Sequence, residues 1–176
     1  MKKTIALDMD NVIADVESHY IDWYHREFGV MIDRKTLLGK HEAEAFPDPD
    51  AIWRFLFTPG FFRTVPVMEG AQQAVAELSR DFEIYIVSAA MEFPQSLPEK
   101  LDWLKEHFPA IGWKHIIFCG NKGIIGTDYM IDDHIKNLDH FSGKPILYTA
   151  SHNVNITHHF RVNNWPEAVQ YLQSTL

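Results

Sequence analysis

Short apolar runs, each cut off by small or polar residues, alternate along this chain with stretches whose apolar positions recur every three or four residues. Five runs have the length and the branched or aromatic content of buried strands. They are "TIAL" (4–7), "FEIYIVS" (82–88), "HIIFC" (115–119), "YMID" (129–132) and "PILYTA" (145–150), and "FRVNNW" (160–165) reads as a final edge strand. Helical periodicity lies between them. "GAQQAVAELSRDF" (70–82) sets Ala71, Ala74, Val75 and Leu78 on one face. "PEKLDWLKEHF" (98–108) opens with a proline suited to a first turn and repeats Leu101, Leu104 and Phe108, and "WPEAVQYLQ" (165–173) closes the chain in the same style. Strands alternating with helices predict an α/β fold, a doubly wound parallel sheet covered on both faces.

Residues 16–66 break the alternation. "ESHYIDWYHREFG" (17–29) carries an aromatic stripe of Tyr20, Trp23, Tyr24 and Phe28 and ends on a glycine, as an amphipathic helix does. A polar stretch follows, then the break "PDPD" (47–50) and the aromatic-rich "AIWRFLFTPGFFRTVP" (51–66), with no strand-like run. The expectation is a small helical cap inserted after the first strand, with 1–15 and 67–176 forming the α/β core.

Composition narrows the function. A chain of 176 residues with 46% hydrophobic content buries a real core, which excludes a disordered chain. Its net charge of −8 argues against binding a nucleic acid polymer, so attraction for an anion must be local. One cysteine, Cys119, excludes an internal disulfide and fits a reducing compartment. The apolar run after "MKK" is too short for a signal peptide and no window reaches membrane-span length, so a cytoplasmic protein with no membrane association is expected.

Ligands of open parallel sheets bind beyond the carboxyl ends of the strands. The first strand ends in Asp8 and Asp10, the second in Ser88 followed by Ala89, the third leads to "CGNKG" with Lys122, and the fourth ends in Asp132 and Asp133. Two carboxylates at roughly 6 Å repel by about 3 kcal/mol at an effective dielectric near 20. A hard cation with oxygen ligands turns that cost into attraction, and a lysine and a hydroxyl beside it suit a phosphoryl group. Asp15 reads as a cap for the helix that follows. The histidines of "HNVNITHH" (152–159) match no zinc spacing and read as surface residues, and His134 as a first-turn helix residue.

In order and spacing, "DMDNV", "IVS", "GNKG" and "MIDD" resemble the motifs of the haloacid dehalogenase superfamily. "DMDNVIAD", the Lys122-to-Asp132 interval and "LYTASHN" resemble its 5′(3′)-deoxyribonucleotidase family. The resemblance implies a Mg²⁺-dependent phosphatase acting on a small phosphate monoester, first of all a deoxyribonucleoside monophosphate. It implies Asp8 as nucleophile and Asp10 as proton donor and acceptor. Ser88, a main-chain N–H near Ala89, and Lys122 would hold the phosphate. Mg²⁺ would be held by Asp8, the main-chain carbonyl of Asp10 and Asp132, with Asp133 in support. Cap aromatics sandwich the base in that family, and Trp53, Phe55, Phe57, Phe61 and Phe62 supply candidates, whereas Val16 stands where an aromatic is common. The same motifs also fit a phosphatase of another small ester, a phosphate-accepting signalling domain or a nucleotide-binding domain without activity.

Overall fold

The structure is a computed structural model and describes residues 2–176. A six-stranded, all-parallel sheet holds β1 (Lys3–Leu7), β2 (Phe82–Ser88), β3 (Ile116–Phe118), β4 (Tyr129–Asp132), β5 (Lys144–Tyr148) and β6 (Arg161–Val162). Their spatial order is β3-β2-β1-β4-β5-β6, so β1 lies between β2 and β4. In register, Leu7 pairs with Ile86 on one side and with Ile131 on the other.

Alternation along the strands divides the core. Ile5, Leu7, Ile84, Ile86, Ile131 and Ile146 belong to a large cluster that also contains the buried faces of α3 (Ala71–Leu78), α4 (Ser96–His107) and α6 (Trp165–Gln173). Ala6, Val87, Met130 and Leu147 point the other way, into a smaller cluster closed by Leu138 of the short α5 (Ile135–Leu138) and by Phe141. Both faces are covered, unequally, as a doubly wound sheet requires.

Element ends differ from the periodicity for local reasons. Helix α3 stops at Leu78 because the N–H groups of Arg80 and Asp81 turn back to Glu77 and Leu78, which tightens the chain before Phe82 starts β2. Helix α4 begins at Ser96, so Pro98 is its third residue, still inside the first turn where its missing N–H costs nothing. Its buried face is Ser96, Lys100, Trp103 and Leu104, with Leu101 only half-buried.

Between β1 and α3 the chain forms α1 (Val16–Phe28), α2 (Pro49–Phe57) and several single 3₁₀ turns. Asp15 caps α1 by accepting from the Ser18 N–H at 3.1 Å, and Gly29 ends it at φ 70°. Asp48 caps α2, with Pro49 in its first turn. The two ends of this segment meet: the Asp15 N–H donates to the Pro66 carbonyl at 2.8 Å, and Ala14 bridges Val67. Phe55, Phe61 and Phe62 are buried, whereas Trp53 and Phe57 are about half exposed. Among the described residues no helix is long and apolar enough to cross a membrane.

Candidate active site

The sheet order brings the carboxyl ends of β1, β2 and β4 side by side. Asp8 follows β1 and donates its main-chain N–H to the Ile131 carbonyl of β4 at 2.9 Å, which locks the two ends together. Ser88 ends β2 and Asp132 ends β4. After Asp8 the chain coils tightly: the N–H groups of Ile13 and Ala14 both donate to the Met9 carbonyl, at 3.0 and 2.9 Å. Asn11 takes a left-handed φ of 56°, which asparagine tolerates. This coil turns Asp10 and Asn11 back over the strand ends. Lys122 arrives from the turn between β3 and β4, which crosses the ends of β2 and β1.

Lys122 is 2% exposed and joins two acids, donating to Asp8 Oδ1 at 2.5 Å and Asp132 Oδ2 at 2.7 Å. Asp132 is fully satisfied: the His134 N–H donates to its Oδ1 at 2.9 Å, and Asn137 Nδ2 lies 3.0 Å from each of its oxygens. Asp133 is equally buried but less well served. Asn11 Nδ2 donates to its Oδ2 at 3.1 Å, while Oδ1 has no partner. Oxygens of Asp8, Asp132 and Asp133 lie within 4.8 Å of one another.

Burial is the largest influence on these groups. It pushes the Asp8 carboxyl up to about 6, helped by the charges of Asp132 and Asp10 and opposed by Lys122. Burial raises Asp133 well above the usual carboxylate range, with Asp8, Asp132 and Glu42 adding to the shift. For Lys122, burial alone would lower the ammonium, but Asp8 and Asp132 raise it overall. One lysine therefore does not balance the acids it faces. The residues present fit a hard divalent cation: an all-oxygen donor set, an orphaned buried oxygen on Asp133, and carboxylates whose burial and mutual repulsion a cation would offset.

Lys100 of α4 was not expected at this site. It is 1% exposed, forms an ion pair with Asp10 Oδ2, lies 3.4 Å from Ser88 Oγ and sits over the Phe62 ring at 4.7 Å. Asp10 keeps a second oxygen, Oδ1, that is buried and unpartnered. The available signal is spacing: Lys100, Trp103 and Leu104 occupy positions i, i+3 and i+4, which puts a charge on the apolar stripe. Asn11, Asn137 and Glu42 were likewise unforeseen. Glu42 accepts from Asn11 Nδ2 at 2.6 Å, which couples the inserted segment to Asp133.

Above these groups lies a cavity of about 240 Å³. Asp8, Asp10, Ser88, Ala89 and Lys122 are on its lining, and Tyr20, Ile52, Trp53, Leu56, Phe62 and Phe93 give it an apolar wall. All residues expected to carry the chemistry therefore lie on or immediately beneath one surface. Cys119 sits just past β3, half-buried, and burial raises its thiol.

A family model described as "5′ nucleotidase, deoxy (Pyrimidine), cytosolic type C protein" matches residues 2–175. A Bacillus subtilis protein named 5′(3′)-deoxyribonucleotidase is 40% identical over 167 residues, which is 95% of this chain and 96% of that protein. A Staphylococcus aureus relative is 40% identical over 171 residues, 97% of this chain and 95% of its own. Among solved structures, a haloacid dehalogenase-like hydrolase from Streptococcus pneumoniae superposes with a TM-score of 0.63 at 14% identity, covering 98% of this chain and 99% of the other. At that identity the likeness concerns the fold.

Proposed function

This chain belongs to the 5′(3′)-deoxyribonucleotidase family and is a phosphatase on the haloacid dehalogenase-like fold, and from that premise we propose that it hydrolyses deoxyribonucleoside monophosphates through a phosphorylated Asp8. The observation that carries the reading is the buried Asp8–Lys122–Asp132 bridge on the floor of a cavity walled by the inserted segment.

In this reading Asp8 attacks phosphorus and the bond from phosphorus to the ester oxygen breaks, while Asp10 donates a proton to that oxygen. Asp10 then takes a proton from water as the water attacks phosphorus, the Asp8–phosphorus bond breaks, and phosphate leaves with the Asp8 carboxylate restored. The two steps need opposite proton movements, which one carboxyl provides in turn. Lys122 holds Asp8 in place and offsets phosphate charge. Ser88, the main chain at Ala89 and Lys100 face the phosphate oxygens. Asp8, the main-chain carbonyl of Asp10 and Asp132 would hold Mg²⁺, with Asp133 in support. The ion would supply charge stabilisation on the phosphoryl oxygens.

Residues 16–66 act as a cap over the α/β core of 1–15 and 67–176. Its paired ends at Asp15–Pro66 and Ala14–Val67 form the natural boundary, and Tyr20, Trp53 and Phe62 offer flat apolar surface to a base. The cavity, at about 240 Å³, lies just below the ~300–1,000 Å³ usual for drug-sized ligands, in keeping with a small phosphate ester.

The test is a Mg²⁺-dependent screen of nucleoside monophosphates, sugar phosphates and p-nitrophenyl phosphate, repeated with Asp8→Asn. Turnover is expected with dUMP and dTMP foremost, to vanish reversibly with EDTA, and to fall by about 10⁴-fold or more in the variant, whose side chain is nearly isosteric. Robust turnover of another ester with none of dUMP or dTMP overturns the substrate. Near-normal turnover by Asp8→Asn overturns the covalent step.

A further inference from the structure

At the rim of the cavity, beside the acids, four side chains from distant parts of the chain meet. Glu42 comes from the inserted segment, Asp133 and His134 follow β4, and His152 follows β5. One ligand atom from each lies within 4.8 Å of every other. His152 is not the surface residue its polar sequence surroundings predict. Its ring stacks on His134 with centroids 4.4 Å apart and planes 19° from parallel. Its Nε2 lies 3.1 Å from the Asp133 carbonyl, a contact that requires the proton on Nε2. That tautomer leaves a bare lone pair on Nδ1, which is buried, has no hydrogen-bond partner and lies 3.7 Å from Glu42 Oε1.

An imidazole anchored through one nitrogen to a backbone carbonyl, with the other nitrogen free, is the usual preparation of a histidine metal ligand. The His134 Nε2 to Asp133 Oδ2 separation is 3.9 Å. A tetrahedral ion with bonds of ~2.0–2.1 Å brings neighbouring ligand atoms to about 3.3–3.5 Å, so the two measured pairs close by a few tenths of an ångström, and the partly exposed His134 ring must also turn out of its stack to aim its in-plane lone pair at the ion. The fully buried Asp133 faces both histidines through Oδ2, which lies 3.9 Å from His134 Nε2 and 3.7 Å from His152 Nε2. Two nitrogens and two carboxylates select a borderline cation of the zinc class, unlike the all-oxygen set of Asp8, Asp132 and Asp133.

We infer that Glu42, Asp133, His134 and His152 form a second metal site, specific for a zinc-class ion, that clamps the inserted segment to the sheet at the mouth of the cavity. Asp133 is common to both groups and has two oxygens. The site does not rest on the phosphatase reading, because none of its histidines takes part in that chemistry, but it shares Asp133 with the acids beside Asp8.

Cobalt(II) is the probe, since tetrahedral coordination gives it intense visible absorption. Titrated into the whole protein with Mg²⁺ at saturation, it is expected to give that spectrum at one equivalent. His152→Ala and His134→Ala should each weaken binding by more than about tenfold. The His134 side chain is one-third exposed and lies outside both apolar clusters, so its truncation leaves the core intact and a folded variant is available even if His152→Ala unfolds. No tetrahedral spectrum, or one that persists unchanged in a folded histidine variant, overturns the site. The latter result would place the ion at another histidine group such as Asp139, His158 and His159, whereas failure of the phosphatase reading would appear in the turnover screen and leave the cobalt spectrum untouched.

Discussion

A lysine that loses nearly all its water must be compensated where it stands, because a buried ammonium without a partner is neutralised or expelled. Lys122 meets that demand with two equally buried carboxylates. Lys100 meets it with Asp10, whose side chain remains 37% exposed, and with Ser88 and the Phe62 ring. The difference matters for substitution. Removing the Lys100 charge leaves Asp10 in reach of water, so the fold loses little, but the proposed proton donor loses the cation beside it and the proposed phosphate site loses one of two buried lysines. Lys100→Met keeps most of the side-chain volume and isolates that effect. Its kcat/KM for p-nitrophenyl phosphate is expected to fall by about tenfold to hundredfold, with the folded protein intact by circular dichroism. An unchanged kcat/KM would show that the Lys100–Asp10 pair has no part in turnover.

At the scale of elements, the joint between β1 and α1 carries both structure and function. Asp15 caps α1 through the Ser18 N–H, accepts from Ser18 Oγ at 2.5 Å and pins its own N–H to Pro66. Asp15→Ala removes the cap and should lower the unfolding free energy by about 0.5–2 kcal/mol in urea denaturation, while Asp15→Asn should recover most of it. Recovery failing in Asn would mean that the charge near Arg34 matters more than the cap. The cap role was legible from sequence because it is local, as were the strands: apolar runs ending in acids need only a period and a stop. Lys122, Asp132 and Ser88 could be placed for the same reason, each following its own strand. Lys100 escaped because a face read from Leu101, Leu104 and Phe108 leaves it off the stripe, whereas Leu101 is only half-buried and the buried face of the helix runs through Lys100, Trp103 and Leu104. Glu42, Asn11 and the His134–His152 stack escaped for a different reason. Their partners lie many residues away on irregular turns, where periodicity carries no information about which side chains meet.

Across the whole molecule, stability should depend on pH through groups that folding has stripped of water, and His19 is the clearest of those lying away from the acids. It sits 3% exposed on α1, with Nε2 2.9 Å from the Phe61 carbonyl and its ring 4.7 Å from the Phe61 ring and 5.5 Å from that of Trp23. Burial lowers its affinity for a proton below the ordinary 6.5, and Arg26 adds to this, against the Phe61 carbonyl, Asp22 and Asp15, which favour the charged ring. In the unfolded chain His19 binds its proton near 6.5; in the fold it binds only at lower pH. The unfolded state therefore takes up more protons as pH falls below 6.5, and stability conferred by the neutral ring is present above that value and lost beneath it. The slope from this one group approaches about 1.4 kcal/mol per pH unit until the folded ring protonates. Comparing urea midpoints of the wild type and His19→Gln from pH 7.5 to pH 5 isolates its share from that of the other histidines. The variant is expected to be less stable at pH 7.5, having lost packing against Phe61, yet to lose less on acidification. Parallel curves would show that His19 titrates alike in both states, and that the aromatic cluster of the inserted segment is wetter than its burial implies.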